Sequence, residues 1–214
     1  MFVGFCTLTL HYQTKKKMAF LFFEITKMKL VQGVGINDKI YPTSTDGKFT
    51  AEYQLWKGML KRCYSISALA HRPNYIGCSV SDNFKSYSYF YEWCQTQVGF
   101  NNDGWCMDKD IITRGNKIYG ENTCSFVPQE INTFFNTHGA VITDYPIGVH
   151  LVKGKYAANC CLNGKTKYLG SFDHPQEAYA VYKQFKEKLC KELAKKWYGQ
   201  IDHRVYDAMM VWTV

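Results

Sequence analysis

The stretch from 106 to 132 constrains the fold more than any other part of the chain, because two apolar runs flank a wide polar loop. Cys106–Ile112 and Thr123–Val127 are short and apolar, which is typical of strands, and the loop Thr113–Asn122 contains glycine. Pro128 follows the second run, at a position that suits the first turn of a helix. The stretch therefore predicts a strand, a loop, a second strand and a helix.

Two side chains with oxygen atoms, one on the first strand and one on the helix, are predicted to lie near each other in this unit. Asp108 ends the first strand and Asn132 lies on the helix, so packing the hairpin against the helix brings them near each other. Carboxylate and amide oxygens suit a hard divalent cation, Mg²⁺ or Mn²⁺, which keeps several waters and can bridge to a phosphate. We therefore predict Asp108 and Asn132 as metal ligands.

The same residues carry a resemblance to a known family. The order resembles the ββα-metal motif of HNH endonucleases and, more narrowly, bacteriophage homing-type HNH endonucleases with a C-terminal AP2-like domain; the matching residues are Asp108-Lys109-Asp110, Asn116, Glu121-Asn122-Thr123 and Asn132. The resemblance implies metal-dependent hydrolysis of DNA phosphodiester bonds, by nicking or cleavage. It also implies that Asn122 orients the group that activates water.

Lys109 departs from the family pattern, because it stands where the family has its general-base histidine. A lysine is charged at neutral pH and cannot accept a proton from water. Lys109 then either contacts a phosphate or takes the proton after being neutralised, and His71 in a preceding loop is another candidate base. The departure leaves an alternative function, a catalytically degenerate DNA-binding regulator or competitor on the same fold.

Charge and cysteine content narrow the class of partner and the compartment. A formal net charge of +8 favours a polyanionic partner. No run approaches the ~20 apolar residues of a membrane span, so no membrane is expected. The nine cysteines and the absence of a signal-peptide pattern predict reduced thiols and a cytoplasmic protein, in the host bacterium if the chain is phage-encoded. A structural zinc held partly by Cys63, Cys78 and Cys124 is a weaker prediction, since these residues and Cys106 form no C-x₂-C pair.

Two helices are predicted before the central stretch. Ala51–Tyr64 has a broad apolar face with Lys57 and Lys61 on its other side, and Asp82–Thr96 has an aromatic face. Between them, Ser65–Cys78 is expected to be a loop.

A second module is predicted after residue 148. Three strands, Val149–Val152, Tyr156–Leu162 and Lys165–Leu169, precede a helix that begins near Gln176. Lys153-Gly154 and Asn163-Gly164 supply the turns, and from Gly148 to Gln200 ten lysines face four acidic residues, a net charge of +6.

This module resembles the AP2 DNA-binding domain, a three-stranded antiparallel sheet packed on one helix. The matching residues are Gly148-Val149, Gly154-Lys155-Tyr156, Ala158, Leu169-Gly170-Ser171-Phe172 and Glu177-Ala178. The resemblance implies that the sheet lies in a major groove of double-stranded DNA, with His150 and Asn159 facing the bases. Lys153, Lys155, Lys165 and Lys167 are expected to meet phosphates, and Asn159 is the candidate for reading an adenine edge.

The predicted fold class is α+β, an HNH-like ββα-metal domain followed by an AP2-like domain. The expected boundaries are 28–137 for the first domain, 138–147 for a linker, and 148–214 for the second domain with a short closing helix. Residues 1–27 either precede a natural start at Met28 or contain a strand over Met18–Phe23. The oligomeric state stays open.

Overall fold

A computed structural model describes residues 29–136, 144–162 and 164–214. The two interpretations of residues 1–27 and most of the predicted linker lie outside these ranges. The described chain mixes helices with four small sheets, which confirms the α+β class. No helix within the described ranges is long and apolar enough to cross a membrane.

The N-terminal part is helical and built on aromatic side chains. After a short hairpin of β1 (Ser44–Thr45) and β2 (Lys48–Phe49), α1 (Ala51–Tyr64) begins at Thr50, whose hydroxyl accepts from the Tyr53 amide at 3.3 Å. The Trp56 indole is fully buried and donates to the Phe84 carbonyl at 2.8 Å. We call this cluster the N-terminal core; its buried members include Trp56, Met59, Leu60, Phe84, Tyr87, Phe90, Trp93, Tyr119 and Phe126.

Three features of this part differ from the sequence prediction. The helix predicted from Asp82 begins at Tyr87 as α3 (Tyr87–Gln95), because the Ser86 hydroxyl caps it by accepting from the Tyr89 amide, and a 3₁₀ turn precedes it. The predicted loop Ser65–Cys78 contains α2 (Ile66–His71) and another 3₁₀ turn. A parallel bridge joins β3 (Ser79–Val80) to β5 (Ile118–Tyr119), two strands of two residues each that the sequence did not indicate.

The predicted strand–loop–strand–helix unit is present with shifted boundaries. β4 (Trp105–Asp108) pairs antiparallel with β6 (Ser125–Pro128), and α4 (Gln129–Phe135) follows directly. The first strand is shorter than predicted, because the Asp108 side chain accepts from two following backbone amides and turns the chain away. Pro128 is the residue before α4 rather than part of its first turn. We call these three elements the ββα unit.

The C-terminal module agrees closely with its prediction. β7 (Val149–Val152), β8 (Lys155–Leu162) and β9 (Lys165–Phe172) form an antiparallel sheet in that order, and α5 (Pro175–Lys196) packs on one face. The sheet core contains Val149, Ala158, Cys160, Ala178 and Tyr182.

Helix α5 is common to two cores. Ala178 and Tyr182 near its start pack on the sheet, whereas Cys190 and Ala194 near its end pack with Val127 of β6. A final helix, α6 (His203–Val211), closes this second cluster. We call it the shared core; its buried members are Ile111, Val127, Ile131, Cys190, Ala194, Ile201, Val205 and Met209. The ββα unit and the sheet are therefore joined through the 22 residues of α5, about 33 Å of helix.

Candidate functional site

Asp108 lies at the end of β4, where one of its carboxylate oxygens is used by the backbone. Oδ1 accepts from the amides of Asp110 at 2.7 Å and Ile111 at 2.8 Å. Burial raises the pKa of Asp108 above its ordinary value, and these two hydrogen bonds oppose that shift. Within the described chain Oδ2 has no hydrogen-bond partner, so one oxygen of a half-buried carboxylate remains for a ligand.

Ser125 faces Asp108 across the hairpin. The two residues are directly opposed in the β4–β6 register, which places their side chains on the same face of the ladder. Ser125 is 2% exposed, and its hydroxyl has no partner among the described residues. An unpaired buried hydroxyl lowers the free energy of unfolding by about 1–3 kcal/mol. This end of the hairpin therefore holds two polar side chains, Asp108 and Ser125, whose hydrogen-bonding capacity is not filled.

Lys109 is buried rather than turned toward solvent. It is 6% exposed, and its ammonium donates to the Asp110 carboxylate and to the Asn116 carbonyl, the latter at 2.8 Å. The Asn116 amide returns a bond to the Lys109 carbonyl at 2.8 Å, and the ammonium lies 5.6 Å from the centre of the Tyr119 ring. In both of its bonds the ammonium is the donor, which is the only hydrogen-bonding role open to it. Its contacts close the loop between β4 and β5.

Asn122 and Asn132 lie on either side of β6. Asn122 is exposed in the turn before β6, and Asn132 is partly exposed on α4. Ile111, three residues after Asp108, shares a core with Ile131, the residue before Asn132. The segment after β4 and the helix α4 therefore share one core, and the metal site at Asp108 and Asn132 stays a prediction.

Arg204 of α6 reaches the Asn122 turn. Its guanidinium donates to the carbonyls of Asn122 at 3.3 Å and Cys124 at 3.5 Å, and it is held by the carboxylate of Asp202. Burial opposes ionisation of Asp202, but the bonds and charge of Arg204 outweigh it and leave the pKa of Asp202 below its ordinary value. The far end of the chain thus braces the turn before β6.

The cysteines named as zinc candidates pack as apolar side chains. Burial raises the pKa of Cys63 to about 12, with a smaller contribution from the neighbouring Cys78, and burial also raises the pKa of Cys124 to about 12. Zinc binds the thiolate, which these surroundings disfavour. In the described ranges no three His, Cys, Asp or Glu residues lie together as a metal site would need. The structural zinc stays a prediction. His71 is exposed, and its ring is bonded to the Ser67 carbonyl of its own helix.

The sheet has one face covered by α5 and one face open. Val149, Ala158 and Cys160 belong to the sheet core, so the residues that alternate with them point the other way. We call that side the open face; its cross-strand sets are His150/Ala157/Ser171, Asn159/Tyr168, Cys161/Thr166 and Val152/Lys155. Asn159 pairs with Tyr168 in the register that the turn after Leu162 sets, and a bulge between Ala158 and Asn159 shifts the register of the pairs beyond it.

The six residues predicted to contact DNA do not all lie on the open face. His150, Asn159 and Lys155 lie on the open face, although Lys155 is ion-paired with Asp173 at 3.1 Å. Lys153 is in the tight turn between β7 and β8, and Lys165 is the exposed first residue of β9. Lys167 lies on the helix side, with its ammonium 4.6 Å from the centre of the Phe185 ring of α5.

Sequence reasoning missed Tyr168, Ser125 and Arg204. Tyr168 is 62% exposed on the open face. The Asn163-Gly164 turn pairs Leu162 with Lys165, and counting back from that pair would have placed Tyr168 opposite Asn159. No local pattern marks Ser125 or Arg204, because their surroundings form only when distant segments meet.

No family model, no curated protein and no solved structure matches the chain. Inference about function therefore rests on the geometry of the ββα unit and of the open face.

Proposed function

We propose that the chain binds double-stranded DNA through the open face of β7–β9. One observation carries this proposal: no residue of the three strands is acidic, three are lysines, and most residues of the open face are exposed. In this proposal the lysines at the turn and strand ends contact phosphates, and a strand pair is narrow enough to enter the major groove. The net charge of +6 in this module adds a general attraction to the polyanion.

Two matched triple variants test the proposal by mobility shift of duplex DNA over a range of salt. Replacing Lys153, Lys155 and Lys165 by alanine removes charge around the open face. Replacing Lys188, Lys191 and Lys195 removes equal charge from exposed positions on the second half of α5, away from the open face. Each lost phosphate contact lowers the slope of log affinity against log salt by about 0.9. We expect the first triple to lower the slope by up to about 3 and the second to leave it nearly unchanged. If both triple variants lowered the salt slope equally, DNA binding would reflect the overall charge of the protein and not the open face.

A second candidate function, metal-dependent hydrolysis of DNA, is favoured by the unbonded carboxylate oxygen of Asp108 and by the unbonded hydroxyl of Ser125, its partner in the strand register. The oxygens of Asp108 and Asn132 fit Mg²⁺ or Mn²⁺, which would stabilise charge on the phosphate and leaving oxygen. Asn122 would then orient the group that activates water. The engaged ammonium of Lys109 favours instead the degenerate DNA-binding regulator or competitor.

Cleavage of supercoiled plasmid with Mg²⁺ or Mn²⁺ separates these two candidates. Nicking by the wild type that is lost in Asp108→Ala would support a working metal site. Nicking only by Lys109→His would support an intact metal site that lacks a base. If none of the three proteins nicks DNA while all three bind it, the binding protein without hydrolysis is the better account.

A further inference from the structure

Asn159 holds a central place on the open face. It lies on β8, the middle strand, and its backbone amide donates to the Gly148 carbonyl at 2.8 Å, so its position is fixed from both sides by β7 and β9. The amide side chain has no partner among the described residues, and Ala157 next to it on the same face is small. A side-chain amide in such a place can donate and accept at once, which matches the N6 and N7 edge of adenine.

Tyr168 stands directly across from Asn159. Its side chain is 62% exposed, belongs to none of the three cores and points the same way as the Asn159 amide. Directly opposed side chains begin about 4.5–5.5 Å apart, so the ring and the amide reach the same or adjacent base pairs. An apolar ring beside an adenine-reading amide suits the 5-methyl group of thymine, the one apolar group in the major groove.

The groups that usually read guanine are absent or occupied on this face. Guanine is most often read by arginine, and the sequence has none between Gly148 and His203. Lysine can replace it, but Lys155 is paired with Asp173 and Lys167 is over Phe185 on the other side. Lys153 is in a turn and Lys165 is at a strand end, so the proposed binding assigns both to phosphates rather than to bases.

We propose that the open face selects A·T base pairs, with Asn159 reading the adenine edge and Tyr168 contacting the thymine methyl group. This inference rests on the proposed binding of duplex DNA and adds the base pair that is read. It also adds Tyr168 as a specificity-determining residue. Loss of one such contact should reduce discrimination between A·T and G·C by roughly ten- to a hundredfold.

The test begins with selection of tight binders from a random-sequence duplex pool by the full-length protein at fixed salt. The expected result is an enriched site with at least one A·T pair that G·C cannot replace. That pair is then altered in two ways: 7-deazaadenine removes the N7 acceptor, and uracil in place of thymine removes the methyl group. We expect each alteration to weaken binding by the wild type.

Three variants assign the two contacts. In Asn159→Ala, 7-deazaadenine should no longer weaken binding, while affinity for unselected DNA stays within about twofold. In Tyr168→Ala the difference between thymine and uracil should disappear, and Tyr168→Phe, which keeps the ring, should retain it. These differences compare two DNAs on one protein, so a general loss of folding would not imitate them.

Each remaining outcome overturns the inference in a recognisable way. Binding of the pool with no enriched site, or enrichment of G·C pairs, would reject A·T selection while leaving DNA binding intact. Enrichment of A·T pairs whose discrimination survives both alanine variants would reject the assigned residues. Failure to bind any duplex would reject the proposed function together with the inference.

Discussion

The ββα unit and the open face of the sheet use their polar side chains in opposite ways. In the loop that follows β4 of the ββα unit, Lys109 and Asn116 are bonded to each other's backbone carbonyls. On the open face, Asn159 and Tyr168 are directed outward and have no partner among the described residues. A polar residue indicates binding only when the fold has not already engaged it, and sequence alone does not show which case applies.

Asp108 and Ser125 lie between these two extremes. Asp108 has one oxygen bonded to the backbone and one left over, and Ser125 is buried with an unbonded hydroxyl. Burying these two polar groups without full hydrogen bonding lowers the stability of the fold. Such a cost is common where a protein keeps a binding function at the expense of stability.

The largest expected effect tests whether the two regions are separable at all. Ile131 is fully buried in the shared core, so Ile131→Ala should lower the free energy of unfolding by about 2–5 kcal/mol. Because α5 belongs to both cores, the sheet should lose protection as well, in one unfolding transition. Urea unfolding followed by tryptophan fluorescence, together with hydrogen exchange of β8 amides, measures both effects.

Ile66→Ala is the matched control for that experiment, since Ile66 is 87% exposed and should change stability by no more than about 0.5 kcal/mol. Unchanged protection of β8 in Ile131→Ala would show that the regions unfold independently.

The next effect concerns Lys109. Removing its side chain leaves the Asn116 carbonyl without this donor and empties a buried site, so Lys109→Ala should lower the free energy of unfolding by about 2–3 kcal/mol without weakening DNA binding. Lys48→Ala, an exposed control, should change stability by no more than about 0.5 kcal/mol. If Lys109→Ala instead weakened DNA binding and left stability unchanged, Lys109 would contact a phosphate, as the sequence suggested.

The C-terminal module was the most predictable part of the fold because its signals are local. The turns at Lys153-Gly154 and after Leu162 fix the hairpin register, and the apolar spacing after Gln176 fixes the buried side of the helix. The structure confirms β7 as predicted and begins α5 at Pro175, one residue early. β9 continues to Phe172, past its predicted end, because Tyr156, Ala157 and Ala158 of β8 supply partners.

The parts that sequence could not predict depend on distant contacts. β3 and β5 are two residues each and pair only because the chain between them folds back, so no periodic pattern exists to detect. Asp108 was placed correctly at a strand end from its own neighbourhood. The burial of Lys109 was not predicted, because it depends on contacts with Asn116 and Tyr119, which follow it in the loop and in β5.

The pH dependence of stability tests whether Asp108 is buried at the cost of stability. Its folded pKa is raised by burial, so the unfolded state releases its proton at a lower pH than the folded state does. The stability that a protonated Asp108 provides is therefore complete below the ordinary carboxyl pKa of about 3.9 and is lost as the pH rises through the folded value.

Asp108→Asn removes that titration but keeps an oxygen for the amides of Asp110 and Ile111. We expect this variant to be more stable than the wild type at neutral pH. The difference should shrink as the pH falls through the raised folded pKa of Asp108 and be smallest below about 4. Thermal unfolding over pH 3–8 measures it. A difference that is constant with pH would show that burial of the charge is not its cause.

The smallest expected effect concerns the turn at Lys153, where stability and binding should change in opposite directions. Lys153 has φ 51° and Gly154 has φ 80°, the left-handed pair of a type I′ turn, in which asparagine is favoured at the first position. Lys153→Asn should therefore raise the free energy of unfolding by about 1 kcal/mol. It should also remove one phosphate contact and lower the salt slope of DNA binding by about 0.9. Lys165→Asn should lower the slope similarly without stabilising the fold, since Lys165 lies in an ordinary strand conformation. If Lys153→Asn stabilises the protein and binds DNA as tightly as before, the strained lysine does not contact a phosphate, and the DNA must approach the open face away from this turn.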